Sequence, residues 1–123
     1  MFKRASRMAV PLIALAAQAG AAQAAGPNVV KVTAQDYAFD MPASLPAGPT
    51  RFDLTDTGQR LHHLTLVKLE QGKTLRDFTA LPPGPPPSWA IFMGGPNTPT
   101  PHGGPTRDIV DLVPGNYAVI CLI

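Results

Sequence analysis

Apolar and polar side chains alternate along most of this chain. Residues 29–34 (VVKVTA) put Val30 and Val32 on one side and Val29, Lys31 and Thr33 on the other, the period of two expected of a strand with one apolar face. Gln35-Asp36 breaks the pattern, and Tyr37, Phe39 and Met41 resume it as far as Pro42, which predicts a kinked or crossing strand. Leu45-Pro46-Ala47-Gly48-Pro49 is a turn, since proline presets φ and glycine accepts the left-handed position. Residues 50–55 (TRFDLT) predict a strand with Phe52 and Leu54 inward and Arg51, Asp53 and Thr55 toward water. After Asp56-Thr57-Gly58, residues 61–69 (LHHLTLVKL) predict the longest strand. His62, Leu64, Leu66 and Lys68 share one of its faces; Leu61, His63, Thr65, Val67 and Leu69 share the other. Both faces are largely apolar, as a central strand requires.

The period changes at residues 73–80. Leu75, Phe78 and Thr79 fall at helical spacing behind Thr74, a suitable cap, so a short helix across one end of the structure is expected. Residues 81–105 hold nine prolines and five glycines, a composition that rules out helix and central strand because proline removes a donor and restricts the residue before it. Within this loop, residues 88–93 (SWAIFM) form an apolar island that should fold back on the core, with Trp89 as a plug. Residues 106–113 (TRDIVDLV) return to strand, and Pro114-Gly115-Asn116 turns them into a final strand, residues 117–121, as a β-hairpin. The sum is an all-β protein with one short helix, best fitted by a Greek-key β-sandwich.

Charge separates the start of the chain from the rest. Lys3, Arg4 and Arg7 carry no neighbouring acid, residues 8–17 are apolar, and Ala22-Gln23-Ala24 fits a small-x-small cleavage site, so residues 1–24 read as a signal peptide and residues 25–123 as the domain. The apolar run is shorter than the ~20 residues that span a bilayer. No second such run follows, so no membrane span is expected after leader removal, and the location is periplasmic or secreted. Of ten Lys and Arg, three go with the leader and none of the eight acids does, so the domain's net charge is about −1. No basic patch remains to attract nucleic acid.

Chemistry centres on the only cysteine. Cys121 cannot form an internal disulfide, which leaves a metal ligand, a reactive or intermolecular thiol, or a small buried apolar residue. No Gly-x-Ser-x-Gly, His-Glu-x-x-His, phosphate loop or Cys-x-x-Cys occurs, and a Cys121–His nucleophilic pair has no evident Asn or Asp to orient the base; no enzyme is expected. Thiolate and imidazole suit copper, which makes His62, His63 and His102 the candidates to join Cys121.

A His opening a long strand after a Gly-containing turn (Gly58 to His62), together with a Cys ending a later strand opened by PGNY, resembles the cupredoxin family of plastocyanin- and azurin-like proteins. VTAQDYAFDMP, LPAGPTRFDLTDTG, LHHLTLVKL, GKTLRDF and VPGNYAVIC look like its successive elements in order. The resemblance implies copper as cofactor, electron transfer with a redox partner protein, and His62 and Cys121 as ligands, His63 being the less favoured neighbour. It also implies a second His and a Met after the Cys, then a closing strand. Only Leu122 and Ile123 follow here, so the site is expected to carry part of its ligand set and the sheet to lack its last strand, with an open edge prone to self-association, unless the sequence is an incomplete copy. His102 and Met93 are substitutes that their spacing does not favour. The alternative is a metal-free β-sandwich binding or structural module that uses the 81–105 loop.

Overall fold

Val30, Val32 and Ala34 are all buried, while Val29, Lys31 and Gln35 are exposed and Thr33 is half-buried, so the alternation along this first segment is realised as one apolar and one wet face. The computed structural model describes residues 26–123 and the backbone of residues 10–15. Among the described residues, eight strands and one helix are formed: β1 (Val10–Leu15), β2 (Asn28–Gln35), β3 (Ala38–Asp40), β4 (Gly48–Asp56), β5 (Thr65–Leu69), α1 (Leu75–Thr79), β6 (Ala90–Gly94), β7 (Thr106–Leu112) and β8 (Gly115–Ile120). They make two four-stranded sheets, β1-β8-β5-β6 and β3-β2-β4-β7, with β2 and β4 parallel and the other neighbours antiparallel. The protein is an all-β sandwich.

The main core lies between the sheets. Val30, Val32, Ala34, Phe52 and Leu54 come from one side, and Leu64, Leu66, Tyr117, Val119 and Cys121 from the other. Each fully buried Val, Leu or Phe contributes about 1.5–3 kcal/mol of apolar transfer. β5 lies between β8 and β6, the central position its two apolar faces demand. Its second face, Val67 and Leu69, joins Ala118 and Ile120 in a smaller cluster covered by Leu75, Phe78 and Trp89. The helix therefore covers the outer face of a sheet instead of lying across an end. It starts at Thr74, whose hydroxyl accepts from the Asp77 amide while the Asp77 carboxylate accepts from the Thr74 amide, a reciprocal cap. Trp89 plugs this second cluster as expected, and Ala90–Gly94 folds back as the outer strand beside β5, a position that the surrounding prolines permit.

Three further expectations are corrected. The strand beginning near residue 61 starts at Thr65, because the Leu64 amide is taken by the Pro96 carbonyl, 3.2 Å away, and leaves the ladder. Asp53 does not face water: it is 7% exposed, with Arg51 bound at 2.8 and 3.0 Å and Arg107 at 3.4 Å. The last two strands form no hairpin. β7 pairs with β4 in one sheet and β8 with β5 in the other, so the Pro114-Gly115 turn carries the chain across the sandwich. The Tyr117 hydroxyl holds this crossing, donating to the Val113 carbonyl at 2.7 Å and accepting from its amide at 3.1 Å. The outer edge of β8 carries β1, with Val10 opposite Val119, Ile13 opposite Tyr117 and a register slip between the two pairs. β1 belongs to the apolar run of the expected leader; residues 1–9 and 16–25 of that leader and its flank lie outside the described residues.

Two predictions follow from these contacts. Tyr117→Phe keeps the buried ring and deletes both hydroxyl bonds, leaving the Val113 amide and carbonyl to find other partners. A loss of about 1–3 kcal/mol is expected in urea unfolding, with the m-value unchanged. Asp53 has its carboxyl held below the ordinary 3.8, first by the Arg51 hydrogen bonds and then by Arg107. The folded state therefore binds fewer protons than the unfolded one in acid, so this contribution is complete above the ordinary value and fades as pH falls through and below it. Asp53→Asn should flatten the acid limb of the stability–pH curve below about pH 4; a limb unchanged by the substitution would contradict the assignment.

Candidate metal centre

The loop between β4 and β5 is shaped by two carboxylates. Asp56, the last residue of β4, accepts the Gly58 amide at 2.8 Å. Asp36, in the turn between β2 and β3, accepts the Gln59 amide on both oxygens and the Arg60 amide on Oδ1, all at 3.2 Å. Gly58 packs so closely on this turn that a Cβ there would strike the Asp36 carboxylate and lie 2.9 Å from its backbone nitrogen. The chain is thereby led to His62 with its ring turned inward and the residue 4% exposed.

From the other side comes β8. Thr65 lies opposite Ile120 and Leu66 opposite Val119, so the residues just before β5 and just after β8 meet at one end of the sandwich. Cys121 is buried there, 2% exposed, with its Sγ 4.0 Å from His62 Nδ1 across 59 residues of sequence. The opposite ring nitrogen, Nε2, is 2.9 Å from Asp36 Oδ1. The Asp36 carboxyl is held below its ordinary value, chiefly by this bond and then by the Gln59 amide, so it is a carboxylate and accepts only. Nε2 is then the donor, and the lone pair of the neutral ring sits on Nδ1, toward the sulfur.

His63 reaches the same end of the sandwich in a different role. Its Nε2 accepts the Leu122 amide at 2.8 Å, and burial pushes its pKa below the ordinary 6.5. That bond requires the neutral ring and fastens the segment following Cys121 to the start of β5. His102 is exposed, with its backbone amide 2.7 Å from the Asp56 carbonyl, and Met93 packs half-buried against the main core. Among the described residues no group of three or more His, Cys, Asp or Glu side chains converges as a metal cage.

The structure brings His62 and Cys121 together and adds Asp36, which the pattern did not single out. The expectation that no Asp or Asn could orient the imidazole is overturned, since Asp36 does so. The only sequence signal for it was an acid at a strand break, which also describes an ordinary turn. Asp36, His62 and Cys121 form a hydrogen-bonding line whose last member is a buried sulfur. No family model matches the chain, and no curated protein matches it in sequence.

Proposed function

We propose that the protein is an exported, cupredoxin-like Greek-key domain that holds copper through His62 Nδ1 and Cys121 Sγ and exchanges electrons with a redox partner protein. The observation that carries this reading is the approach of His62 Nδ1 to Cys121 Sγ at 4.0 Å, made by residues that flank separate strands, one just before β5 and one just after β8. The donor set fits the ion: a thiolate and an imidazole are the ligand types that select copper over hard cations. Bound there, copper would supply one-electron chemistry. The protein's part is to bury the sulfur, aim the imidazole and anchor the segment after Cys121 through His63.

Copper titration of the purified protein, followed by X-ray absorption at the copper edge, tests the reading. One ion per chain with a sulfur scatterer and at least one imidazole supports it; binding without a copper–sulfur shell overturns it.

Export adds a consequence at the sheet edge. Cleavage after Ala24 would remove β1 and uncover the outer backbone groups of β8, which then pair with a second copy. The chain starting at Ala25 is expected to elute as a dimer or larger species in size-exclusion chromatography, and the chain retaining residues 1–24 as a smaller one.

A metal-free contact role for the 81–105 loop draws support from Ile91 and Phe92, which are 38% and 44% exposed on β6, the outer strand of its sheet. Ile91→Lys with Phe92→Lys would abolish partner capture under that reading and leave copper uptake unchanged under the first.

A further inference from the structure

We propose that Asp36 is a positioning residue for this centre: by accepting the Nε2 proton of His62 it holds the imidazole in the one tautomer that turns a lone pair toward Cys121. Asp36 takes that role on the reading of His62 and Cys121 as a metal centre.

An unconstrained neutral imidazole exchanges its proton between two nitrogens. With the proton on Nδ1, an N–H would face the sulfur and would have to be lost before a cation could enter. The 2.9 Å bond from Nε2 to Asp36 Oδ1 removes that competition, because a carboxylate rewards only a donor. It also draws electron density toward the ring and strengthens the opposite nitrogen as a donor to a cation.

The carboxylate is itself fixed. The Gln59 and Arg60 amides bind it at 3.2 Å, and Gly58, having no Cβ, leaves the room the carboxylate occupies. Its imidazole bond is the shortest of the set, and the His62 side chain is 5% exposed against 32% for Asp36. Asp36 therefore links solvent-side charge to a buried ring. The same residues that cap the turn set the direction of the ligand, although they lie 26 positions apart in sequence.

The test uses the full chain labelled with ¹⁵N-histidine, free of metal. Long-range ¹H–¹⁵N correlation should show His62 almost wholly protonated on Nε2 in the wild type. Asp36→Asn keeps an oxygen for the turn amides and removes the charge; it should give a mixed tautomer and lower copper affinity by about 10–100-fold with the unfolding midpoint little changed. Asp36→Glu should restore part of the Nε2 tautomer. A wild-type His62 protonated on Nδ1 overturns the proposal whatever the variants do. So does an Asp36→Asn protein with wild-type tautomer and affinity. If the wild type takes up no copper, the metal reading fails, and the tautomer alone still decides the role of Asp36.

Discussion

Under the proposed function, Cys121→Ser is expected to abolish the intense thiolate-to-copper absorption band while leaving the fold in place. The sulfur is the only thiol in the chain, so any intense thiolate-to-copper transition originates there. Serine is smaller and its hydroxyl can donate to His62 Nδ1, which limits the cost of putting a polar group at a site 2% exposed. About 1–2 kcal/mol of stability should be lost, less than the penalty for an unsatisfied buried hydroxyl. Absorption spectra of both proteins at equal copper loading, with thermal unfolding monitored in parallel, make the comparison. An intense charge-transfer band that survives undiminished in the serine protein would show that it does not arise at Cys121.

Gly95→Ala should be the most damaging single methyl in the domain. Gly95 has φ +153°, outside the range that side chains tolerate well, and a Cβ there would overlap the Leu64 carbonyl oxygen and lie 3.1 Å from its carbonyl carbon. Neither backbone can yield easily, because the Leu64 amide is bonded to Pro96 and Leu64 itself is 1% exposed in the main core. Backbone strain and forced displacement together should cost about 3–5 kcal/mol, a large share of the 5–15 kcal/mol that stabilises a typical domain. Leu64 is two residues beyond His62, so under the proposed function the displacement should also weaken copper uptake although His62 and Cys121 are both kept. Gly104→Ala is the control: no atom lies within 4 Å of its Cβ position, and a change within about 0.5 kcal/mol is expected. Equal midpoints for the two alanine variants in urea would refute the crowding at Gly95.

His62 and Cys121 were legible in the sequence because parity along a strand reports which side chains are removed from water. His62 shares a parity with Leu64 and Leu66, and Cys121 with Tyr117 and Val119, and all six are buried. Asp36 was not legible, because its partner is an imidazole reached across a loop and no periodic pattern links a turn carboxylate to a later strand. The strand start at residue 61 was misplaced for a similar reason. Alternation continues through His62, His63 and Leu64, but the hydrogen bond that ends the ladder comes from Pro96, in a segment whose prolines mark it only as irregular. Asp53 was placed in water because its parity is that of the outer face; two arginines cover it there.

The all-β class, the capped helix at Thr74, the central place of residues 65–69 and the inward turn of His62 and Cys121 are thus determined by the sequence, since each depends on side chains within a few positions of one another. Only the tertiary structure decided which strands pair. Pro114-Gly115-Asn116 is as good a hairpin turn as a crossing turn by local chemistry, and the choice is made by Tyr117, which buries its ring in the core and binds Val113 across the sandwich. That choice sends β8 alongside β5, and their register sets Cys121 against His62 and the carboxylate of Asp36 behind it. Burial between two sheets is a property of the whole chain, so the inward turn of each residue could be anticipated from its strand, while the geometry that makes them a pair could not.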